Sequence, residues 1–153
     1  MKNYDVERFI DAQDNGFAWG VPYAAALREI RNGKKVEHWI WYVFPQLRIF
    51  AKREIAWRFG IENLEEAQAY WDHPVLRQRL IEISSALLQT ESNDPVYVMG
   101  ELDYKKLARC MTLFSRVRNA DPVFQKVLDK FYGGKPSKRT LEAIGELPGK
   151  KPR

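Results

Sequence analysis

The sequence predicts an all-α protein, an irregular array of eight or nine short helices, and three observations carry that prediction. Apolar residues recur at spacings of three and four along most of the chain, which is the period of one helix face. Proline and glycine cut this pattern into short pieces. The only run of strand-like composition, residues 38–44, has no second candidate strand nearby, and an isolated strand leaves its backbone hydrogen bonds unmet. With helices alone available, helix must pack on helix, and pieces this short do not make a long up-and-down bundle.

The first helix is expected over 5–14, where Val6, Phe9, Ile10 and Gln13 share a face and Asp5 is available as N-cap. Gly16 and Gly20 mark a loop. Pro22 suits a first helical position, Tyr23, Ala26, Leu27 and Ile30 form the next stripe, and Gly33 stops it. His38 to Phe44 reads as a short, buried helix ended by Pro45, and residues 51–59 continue as helix to Gly60. Asn63 with Glu66 three residues on has the pattern of a capping box and opens a helix through Trp71. His73-Pro74 starts a long amphipathic helix to about Gln89. Asp94-Pro95 caps a short helix to Met99, and residues 102–114 form another around Leu107, Met111 and Phe114. Asp121-Pro122 opens the helix of Phe124, Val127, Leu128 and Phe131, stopped by Gly133-Gly134, and Ser137 caps a last helix through about Leu147. No repeat or long linker divides the chain, so 1–148 is expected to be one domain and 149–153 a disordered basic tail. Glu65-Glu66 and the pair Arg77, Arg79 read as solvated helix surface.

The chain has 153 residues, 45% apolar and 29% charged, the balance of an ordinary globular protein. Its single cysteine, Cys110, excludes an internal disulfide and a cysteine-based zinc site. The first residues are acidic without a continuous apolar stretch, so no signal peptide is expected, and no window matches a membrane span. The expected location is the cytoplasm. Net charge is +5, distributed as −2 over 1–20, +5 over 21–60, −5 over 61–100 and +7 over 101–153. A basic total suits anionic partners, but it also suits plain solubility. The basic positions do not form a run interleaved with aromatics, so nucleic acid is the least favoured partner.

Familiar catalytic signatures are absent: there is no phosphate-binding glycine loop, no HExxH and no GxSxG. Two histidines, His38 and His73, do not make a multi-histidine metal site, and no metal or cofactor is expected. His38 opens the segment His38-Trp39-Ile40-Trp41-Tyr42-Val43-Phe44-Pro45-Gln46, just after Lys34-Lys35. An imidazole suits acid–base work or anion binding. Trp39 and Trp41 would stack a flat ring, and Gln46 would read its polar edge. The plainer reading is that the rings fill the core and His38 caps a helix. Asp103 and Lys106 share one helix face, as a simple ion pair or as groups that orient a polar ligand. Cys110 among Leu107, Met111 and Phe114 reads as a buried, inert thiol.

Several of these strings resemble the domain of unknown function family numbered 1810, small bacterial proteins sometimes labelled calpastatin-like. The resemblance rests on Phe9-Ile10-Asp11-Ala12-Gln13, Gly33-Lys34-Lys35, His38-Trp39-Ile40-Trp41 running into Phe44-Pro45-Gln46-Leu47, and Met111-Thr112-Leu113-Phe114. It covers nearly the whole chain. It implies one α-α superhelix-like domain and no established activity. The calpastatin label does not fit a globular composition, because an inhibitor of that kind is a disordered chain. The family's polar positions are matched by Gln13, Tyr23, Lys35, His38, Gln46, Asp103, Lys106 and Thr112. A core has no need of a shared Gln, Lys, His and Asp, so the resemblance favours a site. Arg48-Ile49-Phe50-Ala51 departs from the family's glycine-containing loop, so no loop function carries over there.

Three functions compete. The favoured one is an aromatic and basic pocket around His38 that binds a planar, anionic metabolite such as a nucleotide; if the ligand reacts, His38 serves as acid–base and Asp103 orients. The alternative is a protein–protein interaction module without catalytic activity. Weak nucleic-acid binding through 101–153 comes last.

Overall fold

Nearly every proline and glycine that punctuates the sequence begins or ends a helix. The computed structural model describes residues 3–147, and among them are ten α-helices and one 3₁₀ turn. They are α1 (Glu7–Asn15), α2 (Tyr23–Arg31), α3 (Ile40–Val43), the 3₁₀ turn (Arg48–Phe50) and α4 (Glu54–Arg58). There follow α5 (Leu64–Asp72), α6 (Pro74–Leu88), α7 (Pro95–Met99), α8 (Tyr104–Phe114), α9 (Val123–Tyr132) and α10 (Lys138–Ala143). The class is all-α, with helices close in number to the expected eight or nine. The basic segment 149–153 lies outside the described residues.

Local chemistry accounts for most of the starts. The Asn63 side chain accepts from Glu66 N at 2.9 Å, while the Glu66 carboxylate accepts from Glu62 N at 2.7 Å, so two backbone donors at the α5 terminus are satisfied together. His73 Nδ1 accepts from Val75 N at 3.2 Å, Asp94 from Val96 N at 2.9 Å and Ser137 from Thr140 N at 3.2 Å, which caps α6, α7 and α10. Gly133 ends α9 at φ 62°, a left-handed conformation that glycine adopts without penalty. Asp5 does not cap α1: Val6 holds that position without a side-chain bond.

Of the expected helix over 51–59 only α4 forms, Glu54–Arg58, and the 3₁₀ turn lies just ahead of it. A contact across the segment explains the break. Leu47 and Ile61 form an isolated parallel bridge, with Ile61 N donating to Gln46 O at 2.9 Å and Arg48 N to Ile61 O at 2.7 Å. That pairing holds the backbone extended at Leu47. Gly60 lies so close to Arg48 that a Cβ there would sit 2.6 Å from the Arg48 Cα.

The core is one contiguous apolar cluster running from Phe9 on α1 to Phe131 on α9. α6 is its axis, burying Leu76, Leu80, Ile83 and Leu87 and packing against α2, α5 and α9. Aromatic rings link the other helices: Phe9 to Tyr70 at 5.0 Å, Tyr70 to Phe114 at 5.1 Å and Trp71 to Phe124 at 5.4 Å. Such pairs are each worth about 0.5–1.5 kcal/mol beyond the area they bury. Lys130 on α9 collects the open end of α6, its Nζ donating to Leu87 O at 3.1 Å, Leu88 O at 3.2 Å and Thr90 Oγ1 at 3.0 Å.

Some positions read as solvated are not. Glu66 is 3% exposed and pairs with Arg8 at 2.8 Å, and Arg8 also donates to the carbonyls of Arg58 and Gly60. Arg77 donates to Trp71 O at 3.1 Å, and Arg79 pairs with Asp14 at 2.7 Å. Helical spacing identifies a face but not the neighbour that covers it. No described helix is long and apolar enough to cross a membrane.

Candidate functional site

The site is assembled on the loop between α2 and α3. Glu29, near the end of α2, turns its carboxylate onto that loop, where Oε1 accepts from Val36 N at 2.7 Å, Glu37 N at 3.0 Å and Trp39 Nε1 at 2.9 Å. Lys35 N donates to Val98 O at 2.7 Å, which ties the same loop to α7. The loop is thereby fixed with the Lys35 side chain against Asp103, the residue preceding α8.

Asp103 sits between two lysines. Its Oδ2 lies 2.8 Å from Lys35 Nζ and its Oδ1 lies 3.0 Å from Lys106 Nζ, with the Lys35 and Asp103 side chains only 6% and 13% exposed. Burial alone would raise the Asp103 carboxyl; hydrogen bonds and charge from Lys35, then Lys106, outweigh it and hold the carboxyl below its ordinary range. Asp103 is therefore ionised at neutral pH. Lys35 also donates to Glu37 O at 2.6 Å and stands 5.0 Å over the Trp39 ring.

Lys106 carries the network onward. It lines a crevice with Trp41, Phe44, Gln46 and Ala56, of about 10 Å³, at the lower limit for a single water. Gln46 accepts from Arg109, one turn along α8 from Lys106, at 3.4 Å. On the outside of Trp41 lies the exposed His38 ring, 6.4 Å away and tilted by 30°. Trp19 meets Trp41 edge-on at 6.3 Å and is itself 58% exposed. Beside Trp19 is an open groove of about 370 Å³ lined by Phe17, Arg53, Glu54, Ile55 and Arg58.

The structure thus brings together Lys35, His38, Trp41, Gln46, Asp103 and Lys106, and it separates the others. Trp39 is completely buried with its indole N–H committed to Glu29, so neither face is open for stacking. Gln13 is buried behind α3, donating to Tyr42 O at 2.8 Å and Tyr70 OH at 3.2 Å and accepting from Arg79. Tyr23 donates to Glu82 at 2.6 Å and Arg79 O at 2.9 Å; burial first, then Glu82, raises its hydroxyl far above the ordinary value. Thr112, also buried, donates to Ala108 O and accepts from Ser137 N, each at 2.8 Å. These three hold the fold together.

Both Asp103 oxygens are engaged by lysines, so the carboxylate is committed to holding Lys35 and Lys106. Cys110 is fully buried and its thiol is pushed well up by that burial, so it offers no nucleophile. Among the described residues, no group of three or more His, Cys, Asp or Glu is placed to hold a metal ion.

Sequence reasoning missed Glu29, Trp19 and Arg109. Glu29 lies within no motif, and its role exists only once the following loop folds back on it. Trp19 had a local signal: a large ring between two glycines, in a loop too short to bury it.

Comparison with known proteins agrees with this architecture. The chain is similar to the conserved hypothetical protein Rv1873 from Mycobacterium tuberculosis, whose crystal structure superposes with a TM-score of 0.86 at 38% identity over 93% of this chain and 97% of that one. No curated protein matches. The family model described as protein of unknown function (DUF1810) matches residues 3–144, and the chain belongs to that family.

Proposed function

We propose that the protein binds a planar, anionic metabolite such as a nucleotide on the aromatic and basic face around His38. The observation that carries this reading is Trp19, a 58% exposed indole held edge-on against Trp41 at the rim of a groove of about 370 Å³. Grooves of roughly 300 Å³ upward are the size that takes a small ligand. Arg53 and Arg58 on the groove wall, with Lys106 and Gln46 on the other side of Trp41, supply positive charge and a polar edge. The ligand ring would lie outside Trp41 and against Trp19, because the space between Trp39 and Trp41 is closed. Asp103 acts as a positioning residue for Lys35 and Lys106. The reading invokes no cofactor and places the protein in the cytoplasm, where a free thiol such as Cys110 stays reduced.

The test is a thermal-shift screen of the purified protein against nucleotides, dinucleotides, sugar phosphates and ADP-ribose-like compounds. A ligand at a hundred times its dissociation constant stabilises by about 2.7 kcal/mol, a rise of several degrees for a chain of this size. His38→Ala and Trp19→Ala should each remove the rise while leaving the ligand-free melting point nearly unchanged. A rise that survives both substitutions removes the site from this face.

One observation favours the alternative, a protein-interaction module. Val36 and Leu102, neighbours in sequence of Lys35 and Asp103, are 71% and 82% exposed and flank that ion pair with apolar surface. In that case small ligands do nothing, a partner co-purifies, and Val36→Glu with Leu102→Glu releases it.

A further inference from the structure

The 3₁₀ turn, α8 and α10 each contribute one side chain to a cluster that the preceding reading does not use. Arg109 of α8 has its guanidinium carbon 4.6 Å from the centre of the Phe50 ring, and Arg139 of α10 has its own 5.2 Å from the same ring. Arginine stacks on an aromatic face with its N–H groups left free at the rim. Among the described residues neither arginine has an ion-pair partner, and the hydrogen bond Arg109 makes is the long one to Gln46. Two guanidiniums on one ring repel each other. Burial and the charge of Arg139 both make the protonated form of Arg109 harder to hold. Ser137 N donates to Thr112 Oγ1 at 2.8 Å, which sets α10 against α8 and brings both arginines to the same ring.

We propose that Arg109 and Arg139, stacked on Phe50, clamp a phosphate-class oxyanion, the phosphoryl group of the ligand bound on the neighbouring aromatic face. A tetrahedral oxyanion accepts several N–H donors at once and cancels the repulsion between the two cations, which no side chain among the described residues does. Gln46, which accepts from Arg109, also lines the crevice of Trp41 and Lys106, so the clamp adjoins that crevice. The assignment of a phosphoryl group rests on the reading above, while the clamp itself is tested by an ion that carries no ring.

The experiment is calorimetric titration with inorganic phosphate, with chloride at matched ionic strength as reference, and in parallel with adenosine and adenosine 5′-monophosphate. Wild type should bind phosphate and not chloride. Arg139→Ala, a change at an exposed position, should weaken phosphate by about tenfold or more, with Arg139→Lys in between because it keeps the charge but loses the planar fork. Trp19→Ala should leave phosphate binding unchanged. Failure of wild type to bind phosphate, or equal binding by Arg139→Ala, overturns the clamp. Phosphate bound without adenosine or its monophosphate leaves the clamp standing and removes the aromatic site. Adenosine and its monophosphate bound with equal affinity, both insensitive to Arg139→Ala, does the reverse.

Discussion

Lys35 and Asp103 meet in a 2.8 Å ion pair that pins the α2–α3 loop to the residue ahead of α8, and Lys106 takes the other carboxylate oxygen. The carboxylate is the group that lets two lysines approach each other. Replacing it strands them in a setting where Lys35 is nearly buried.

Asp103→Asn should therefore cost about 2 kcal/mol at neutral pH, measured by urea unfolding. Because the folded carboxyl titrates below its ordinary value, its contribution is complete above the unfolded value near about 4 and is lost as the pH falls through the folded one. The gap between wild type and variant should close in acid. A gap that persists once the folded carboxyl is protonated would assign the loss to packing instead of charge.

Glu29→Ala should cost about 2 kcal/mol, because one oxygen holds two backbone amides and an indole. Hydrogen exchange at Val36 and Glu37 should accelerate while α6 keeps its protection. Unchanged exchange at these two amides would show that the tie to Val98 suffices to order the loop.

Gly20 has no room for a side chain: a Cβ would lie 2.3 Å from the Tyr42 hydroxyl and 2.9 Å from His38 O. Gly20→Ala should cost about 1–3 kcal/mol. Combined with Tyr42→Phe, which removes the nearer atom, its cost should shrink; strict additivity of the two would refute the clash.

Thr112→Val removes the acceptor of Ser137 N while keeping the shape, at a cost of about 1–2 kcal/mol. Protection should fall in α10 and not in α8. Equal loss in both helices would mean that the valine disturbs the core itself.

Helix identity was readable because its causes are local. Asn63, His73, Asp94 and Ser137 each cap a helix within three residues of themselves, and the pattern is visible in the string. The helix expected over 51–59 is cut back to Glu54–Arg58, because the bridge between Leu47 and Ile61 and the closeness of Gly60 to Arg48 constrain the two ends of the segment. The site was half readable. His38, Trp41 and Gln46 are close in sequence and stay on one face, whereas the pairing of Lys35 with Asp103 depends on a fold-back that spacing does not encode. Gln13, Tyr23 and Thr112 show why shared polar residues need not mark a site. A one-turn helix such as α3 leaves carbonyls unpaired inside the core, and Gln13 is buried to satisfy that of Tyr42.

Lys130 has a bearing on how the molecule comes apart. A helix opens first at its ends, and the last carbonyls of α6 would ordinarily exchange partners with water independently of everything else. Here those carbonyls share one ammonium that belongs to α9, so fraying the end of α6 means detaching a cation from another helix. The longest helix and the one packed across it should then open as one cooperative unit, read as matched amide protection at the end of α6 and in α9.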